Sequence, residues 1–134
     1  MKIGDLARKT GLSVHTLRYY EKAGLLQASG RTGANYRIYT EDDATTASFI
    51  KRCKECGFTL DETRALITIR DDKRQHVCAE AKDIAQNKMQ DLKTQITSLQ
   101  AMLITLDKLQ ALCCGGEESA EFCSIIANLE GAPS

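Results

Sequence analysis

From Ala85 onward the apolar residues Met89, Leu92, Ile96, Leu99, Leu103 and Leu106 recur at alternating steps of four and three. That spacing holds one stripe in register on a helix for about three heptads. The residues between them, such as Gln86, Lys88, Gln90, Asp91 and Lys93, form a solvated face. A lone helix of this length cannot hide such a stripe from water, so the segment requires a partner helix. Folding the stripe back onto the chain's own head is the weaker solution, because the helix is longer than such a head is wide.

The cysteines give the pairing a direction. Cys113, Cys114 and Cys123 cluster around a Gly115-Gly116 turn just past the stripe, and Cys78 lies 35 positions upstream of Cys113. At about 1.5 Å of rise per residue, the two ends of one straight helix are roughly 50 Å apart. No metal ion spans that distance within one chain. Two copies packed antiparallel would bring Cys78 of one beside Cys113 and Cys114 of the other, so the spacing points to a thiolate-rich metal site assembled across a homodimer. No apolar run approaches the ~18 residues that span a bilayer, and Met1-Lys2-Ile3-Gly4-Asp5 lacks a signal peptide's apolar stretch. The expectation is a cytoplasmic protein without membrane contact, whose six cysteines are reduced and free for metal or burial.

A net charge of zero conceals an asymmetry. Residues 1–74 hold 14 Lys/Arg against 10 Asp/Glu, whereas residues 75–134 hold 4 against 8. The first forty residues alone carry 7 basic and 2 acidic side chains. A positive head suits a nucleic-acid contact at one end only. Its residues describe the contact. Ile3, Leu6 and Ala7 follow a helical spacing that Gly11 ends, and Ser13 stands where it can cap a second helix carrying Thr16, Leu17 and Tyr20. Two short helices joined at a glycine-containing turn form a helix-turn-helix, whose second helix enters the major groove. On it, His15, Thr16, Arg18 and Tyr19 face away from the Val14/Leu17 side. Arg18 can make a bidentate contact to guanine or hold a phosphate.

Gly24-Leu25-Leu26 ends that helix, and Arg31 to Tyr39 alternate like a short strand after a turn. A hairpin rich in Arg and Tyr beside a helix-turn-helix reads as a wing. Arg31 and Arg37 would grip phosphates, with Asn35 and Tyr36 along the same edge. Glu41-Asp42-Asp43 open a third helix with Phe49 and Ile50 on its apolar face, and Asp61-Glu62 open a fourth with Leu66 and Ile69 inward.

Ile3-Gly4-Asp5-Leu6-Ala7, Thr16-Leu17-Arg18-Tyr19-Tyr20-Glu21, Gly24-Leu25-Leu26, Asn35-Tyr36-Arg37-Ile38-Tyr39 and Gly57-Phe58-Thr59-Leu60 resemble the head of MerR-family transcription regulators. In the tail, His76-Val77-Cys78, the Cys113-Cys114-Gly115 turn and Phe122-Cys123-Ser124-Ile125 resemble the zinc-responsive, ZntR-like branch of that family. The resemblance covers the whole chain. It implies an antiparallel coiled-coil homodimer bound within an overlong spacer of double-stranded promoter DNA, repressing without metal. With metal the dimer would activate by distorting the DNA for RNA polymerase. It also implies two ions per loop, sharing Cys113, Cys114 and Cys123 of one chain with Cys78 of the other.

One position departs from the pattern. ZntR-like loops carry histidine four places after the second cysteine, where this chain has Glu118. A carboxylate can replace imidazole on zinc, at the cost of a harder and more anionic site. Glu117, Glu121 and His76 are the other side chains able to compensate. Copper(I) prefers two thiolates in a low-charge pocket, so an additional thiolate and nearby acids favour a divalent ion: Zn(II) first as effector, with Cd(II) and Pb(II) as rivals. Cys53 and Cys56 form a second cysteine pair, but no further ligand pair lies near them, and burial as small apolar side chains is the simpler role.

The expected fold is mainly α. A winged helix-turn-helix head (1–72) leads into a dimerisation helix (75–112), followed by a metal-binding loop and short helix (113–134) ending in Ser124 to Leu129. A catalytic zinc would need an open coordination position and a base in a cleft. A thiol enzyme would need an α/β scaffold, and no strand-helix alternation is present. An enzyme is therefore excluded. A metal store leaves the head unexplained. A thiol-based redox or aldehyde sensor needs one reactive cysteine, whereas four clustered ones point to coordination.

Overall fold

The structure, a computed structural model, describes residues 1–131. Its elements are α1 (Ile3–Thr10), α2 (Val14–Lys22), β1 (Gly30–Arg31), β2 (Arg37–Ile38), α3 (Glu41–Glu55), α4 (Leu60–Asp71), α5 (Cys78–Ala111) and α6 (Ser124–Leu129). Single 3-10 turns lie at Lys73–Gln75 and Ala120–Phe122. The mainly helical architecture read from the sequence is present. β1 and β2 pair antiparallel, Gly30 with Ile38 and Arg31 with Arg37, as a wing of two residues per strand. The chain divides into two compact units, Met1–Lys88 and Met89–Ser134.

Local chemistry sets the helix ends of the first unit. Gly11 closes α1 in the left-handed region at φ 75°, where a side chain would be strained. The Ser13 hydroxyl accepts the Thr16 N–H at 3.0 Å and so caps α2. Thr40 with Asp43, and Thr59 with Glu62, form reciprocal capping boxes at α3 and α4. Asp43 is more than a first-turn acid. It is buried and accepts the Ser29 hydroxyl at 2.6 Å, which fastens the start of the wing to α3.

The core gathers Leu6, Leu17, Tyr20, Leu25, Leu26, Tyr39, Ala44, Ala47 and Ile50. On α4 the inward face differs from the expected one. Leu60, Leu66, Ile67 and Ile69 are all half-buried, but the ones packed on the core are Leu60 and Ile67, beside the fully buried Thr63. The helix starts at Leu60, and 60, 63 and 67 share a face at helical spacing. Thr63 meets its buried hydroxyl's need by donating to the Thr59 carbonyl at 2.8 Å.

A second departure concerns Lys88, expected on the solvated face of α5. It is 7% exposed, and its ammonium lies 2.9 Å from the Glu62 carboxylate. A lysine is buried this deeply only when paired. The Thr59 N–H and then Lys88 hold the Glu62 carboxyl below its usual 4.5. A depressed folded pKa contributes stability above the unfolded value and loses it as pH falls through the folded one. Glu62→Gln keeps the cap but not the charge. It should cost about 1–2 kcal/mol at pH 7, less than the 3–5 of a fully buried pair because water screens a partly exposed carboxylate. The cost should shrink in acid, as pH falls below the ordinary carboxylate value of 4.5 and the parent's own Glu62 protonates, which urea unfolding at neutral and acid pH would read.

α5 is one uninterrupted helix of 34 residues. Every member of the stripe, Met89, Leu92, Ile96, Leu99, Leu103 and Leu106, is exposed on the single chain, Leu103 at 69%. Met102 and Ile104 are exposed beside them. Among the described residues no helix is long and apolar enough to cross a membrane.

Candidate DNA-binding surface and metal loop

Burial of Leu17 and Tyr20 turns the other face of α2 outward. His15, Arg18 and Tyr19 are exposed there, and Thr16 is half-buried, its hydroxyl receiving that of Ser13 at 2.9 Å. Ser13 thus serves the helix end first. The wing presents Arg31, Asn35, Tyr36 and Arg37, all exposed. Asn35 sits at φ 68°, a left-handed turn that asparagine tolerates, and its carbonyl accepts the Arg31 guanidinium at 3.3 Å. The Lys2 ammonium stands 5.4 Å from the centre of the Tyr36 ring, a cation–π contact that adds a basic group to the wing edge.

Between α2 and the wing runs a groove of about 740 Å³, whose lining includes Arg18, Lys22, Arg31 and Arg37. Four cations in one concave surface attract a polyanion, and arginine forks suit phosphate and guanine geometry. The same lining includes the acid Glu21. Its carboxylate lies 3.2 Å from the Arg37 guanidinium and accepts the Tyr39 hydroxyl. Neither Glu21 nor Lys2 stands out in the sequence as a contact residue. The signal for Glu21 was its place one turn after Leu17, on the buried side of α2.

In the second unit the loop after α5 folds around a cavity of about 440 Å³, lined by Cys113, Cys114, Glu118 and Cys123 among others. The Cys113 and Cys123 sulfurs are 4.0 Å apart. Two sulfurs each about 2.3 Å from a tetrahedral zinc lie roughly 3.8 Å from one another, so this pair is already spaced for one ion. Gly115, at φ 76°, turns its N–H back onto the Cys113 sulfur at 3.4 Å. Cys123 precedes α6, and the Ile126 and Ile125 N–H groups favour its thiolate, lowering the thiol pKa below the usual 9.0. Cys114 faces the Glu118 carboxylate at 3.9 Å. Glu118 folds back against Gly116, so a side chain there would have to push that flexible carboxylate aside.

Cys78 opens α5 and is exposed. Among the described residues, no three His, Cys, Asp or Glu side chains of the single chain converge on a metal position. His76 is held by Glu80, whose carboxylate it meets at 2.9 Å while Glu80 also accepts the Val77 N–H. Cys53 is buried, which pushes its thiol up, and Cys56 is exposed. On α6, Ile126 and Leu129 are exposed and Ile125 half-buried.

The family model described as MerR HTH family regulatory protein matches residues 1–68, and that described as MerR, DNA binding matches residues 45–109. The transcriptional regulator ZntR of Escherichia coli is 38% identical over 133 residues, covering 99% of this chain and 94% of that protein. The crystal structure of the transcription regulator PbrR691 from Ralstonia metallidurans, in complex with lead(II), superposes with a TM-score of 0.84 at 32% identity, over 96% and 98% of the two chains. MerR from Bacillus megaterium, in complex with mercury(II), superposes at 0.69 with 30% identity over 97% and 99%.

Proposed function

We propose that this chain, which belongs to the MerR family of helix-turn-helix transcription regulators, senses a thiophilic divalent metal and answers through promoter DNA. The family fixes the coarse activity as DNA-binding regulation, not enzymatic catalysis. The finer reading has Zn(II) as effector. Cys113, Cys114, Cys123 and Glu118 of one chain and Cys78 of its dimer partner are the ligands, and a metal-export or detoxification promoter is the target. Ser13, His15, Thr16, Arg18, Tyr19, Arg31, Asn35, Tyr36 and Arg37 form the DNA surface in this reading, with RNA polymerase met on the same promoter.

The observation that carries the metal reading is the Cys113–Cys123 pair, 4.0 Å apart. Two thiolates supply half of a tetrahedral site, and the remaining donors must come from Cys114, Glu118 and a second copy. Register supports the second copy. If the seam pairs antiparallel about its own midpoint, residue numbers facing each other sum to about 195, so Ile96 meets Leu99 and position 78 meets the loop near 117. A bound divalent ion would hold the two thiolates and draw the loop onto the partner's helix. The resulting change in the angle between heads would be read by DNA as a deformation energy.

Competition titration of the reduced protein against chelators tests the metal. Zinc is expected to bind tightly, and Glu118→His to change zinc affinity by no more than about tenfold, within the range for tuning a ligand environment. Weak zinc binding beside tight cadmium or lead would overturn the zinc assignment. It would leave a heavy-metal sensor of the same architecture, a reading supported by the relatives crystallised with lead(II) and mercury(II).

A further inference from the structure

A largely covered acid in a cationic DNA groove calls for a physical reason, since a carboxylate repels phosphates and costs free energy when desolvated. Glu21 is such an acid, with 10% of its side chain exposed. It sits on α2, yet both of its partners belong to the wing or the residue just after it: the Arg37 guanidinium at 3.2 Å and the Tyr39 hydroxyl. Tyr39 is itself a core residue, 1% exposed. Its pKa is pushed up to about 12 by burial and by the Glu21 bond, so it remains a donor at any physiological pH. Arg37 is about half exposed and lines the groove.

We propose that Glu21 is a positioning residue for DNA recognition: anchored by the buried Tyr39, it pairs with one nitrogen of the Arg37 guanidinium and so biases how the remaining donors are presented to the DNA backbone. Arginine has five N–H donors in a planar fork, so one edge can be held while the other reaches a phosphate. A side chain ordered beforehand loses less freedom on binding. Two effects oppose one another. The carboxylate weakens the general attraction of the groove for any duplex, while the biased fork favours the one register in which it meets a phosphate. Burial and the Arg37 charge mute the first effect. Glu21 therefore trades non-specific attraction for fit. This rests on the DNA-binding reading of the wing and adds to it the residue that aims the arginine.

The test uses the full chain, a duplex selected by the parent protein from a random pool, and an unrelated duplex of equal length. Glu21→Gln keeps an oxygen for the Tyr39 hydroxyl, so its thermal midpoint should stay near the parent's. Its preference for the selected duplex over the unrelated one should fall about tenfold. Arg37→Ala should lose a comparable preference, and the affinity for the selected duplex should fall less steeply with salt, by about one unit of slope. In the Arg37→Ala background, Glu21→Gln should add less than twofold. Arg37→Lys, which leaves Glu21 in place and keeps a charge without the fork, should also lose preference and provides the test if Glu21→Gln unfolds. A Glu21→Gln protein that folds and discriminates like the parent overturns the proposal. So does an unchanged loss in the Arg37→Ala background, or an Arg37→Lys protein matching the parent. Parent-like binding by Arg37→Ala removes the wing contact while leaving the DNA-binding reading intact. A parent that selects no duplex would sink both.

Discussion

A chain carrying Cys78→Ser, and a second chain carrying Cys113→Ser with Cys123→Ser, should each lose tight zinc binding alone and regain it when mixed. Structural zinc contributes about 10–16 kcal/mol in thiolate sites of four donors, so one ligand is worth on the order of 3 kcal/mol, roughly 10²-fold in affinity. Removing two thiolates should abolish tight binding. In a heterodimer of these chains, one loop retains Cys113, Cys114 and Cys123 and faces an intact Cys78 of the other chain. The second loop of the same dimer is doubly disabled. Random pairing makes about half of the dimers mixed, each with one working site of two, so about a quarter of the parent's tight sites should return. A site built within one chain returns none. Chelator competition on the two proteins before and after mixing reads the difference, and binding to the selected duplex should survive in both parents of the mixture. If mixing restores nothing while Cys78→Ser alone still abolishes binding, the trans arrangement fails even though Cys78 matters.

What the sequence disclosed and what it hid follow one physical division. Local rules made the caps legible: Gly11 needs its left-handed φ, and Ser13 needs only the N–H three residues on. α6 was legible from end to end, Ser124 to Leu129. The stripe on α5 was readable because a period of alternating three and four has one geometric meaning, and its members are exposed on the single chain. Tertiary partners were not readable. Lys88 looks like any other lysine between apolar heptad positions, and only the approach of α4 gives it Glu62. Ile67 rather than Leu66 packs on the core because it shares a face with Leu60 and the buried Thr63, and which face meets the core is a tertiary matter that propensity does not fix. Cys113 and Cys123 could be grouped by composition, but their 4.0 Å separation depends on the Gly115 turn and on the position of α6. The acid Glu21 stood in a motif without a role, because its partners come from residues 16 and 18 positions away.

The proposed shared metal site depends on the orientation of the expected coiled coil, and periodicity is blind to it. Ile96→Lys and Leu99→Glu should each drive the proposed dimer to monomers. Deleting one buried leucine costs about 2–5 kcal/mol, a symmetric dimer suffers each change twice, and a buried unpaired charge adds to the loss. The combined penalty weakens dimerisation by at least about 10³-fold, which sedimentation at micromolar concentration would show as a monomer. Mixing the two variants should restore a heterodimer, but only in one orientation. In an antiparallel seam centred on its midpoint, the lysine introduced at position 96 of one chain faces the glutamate introduced at position 99 of the other, while the unchanged Leu99 faces the unchanged Ile96. In a parallel seam each position faces its own number, and both charges are buried against leucine or isoleucine without a partner. Recovery of dimer on mixing therefore requires the antiparallel arrangement, and the same arrangement would carry Cys78 to the partner's loop. A mixture that stays monomeric would remove the geometric basis for a shared metal site. The Cys113–Cys123 pair would then have to find its other donors on its own chain.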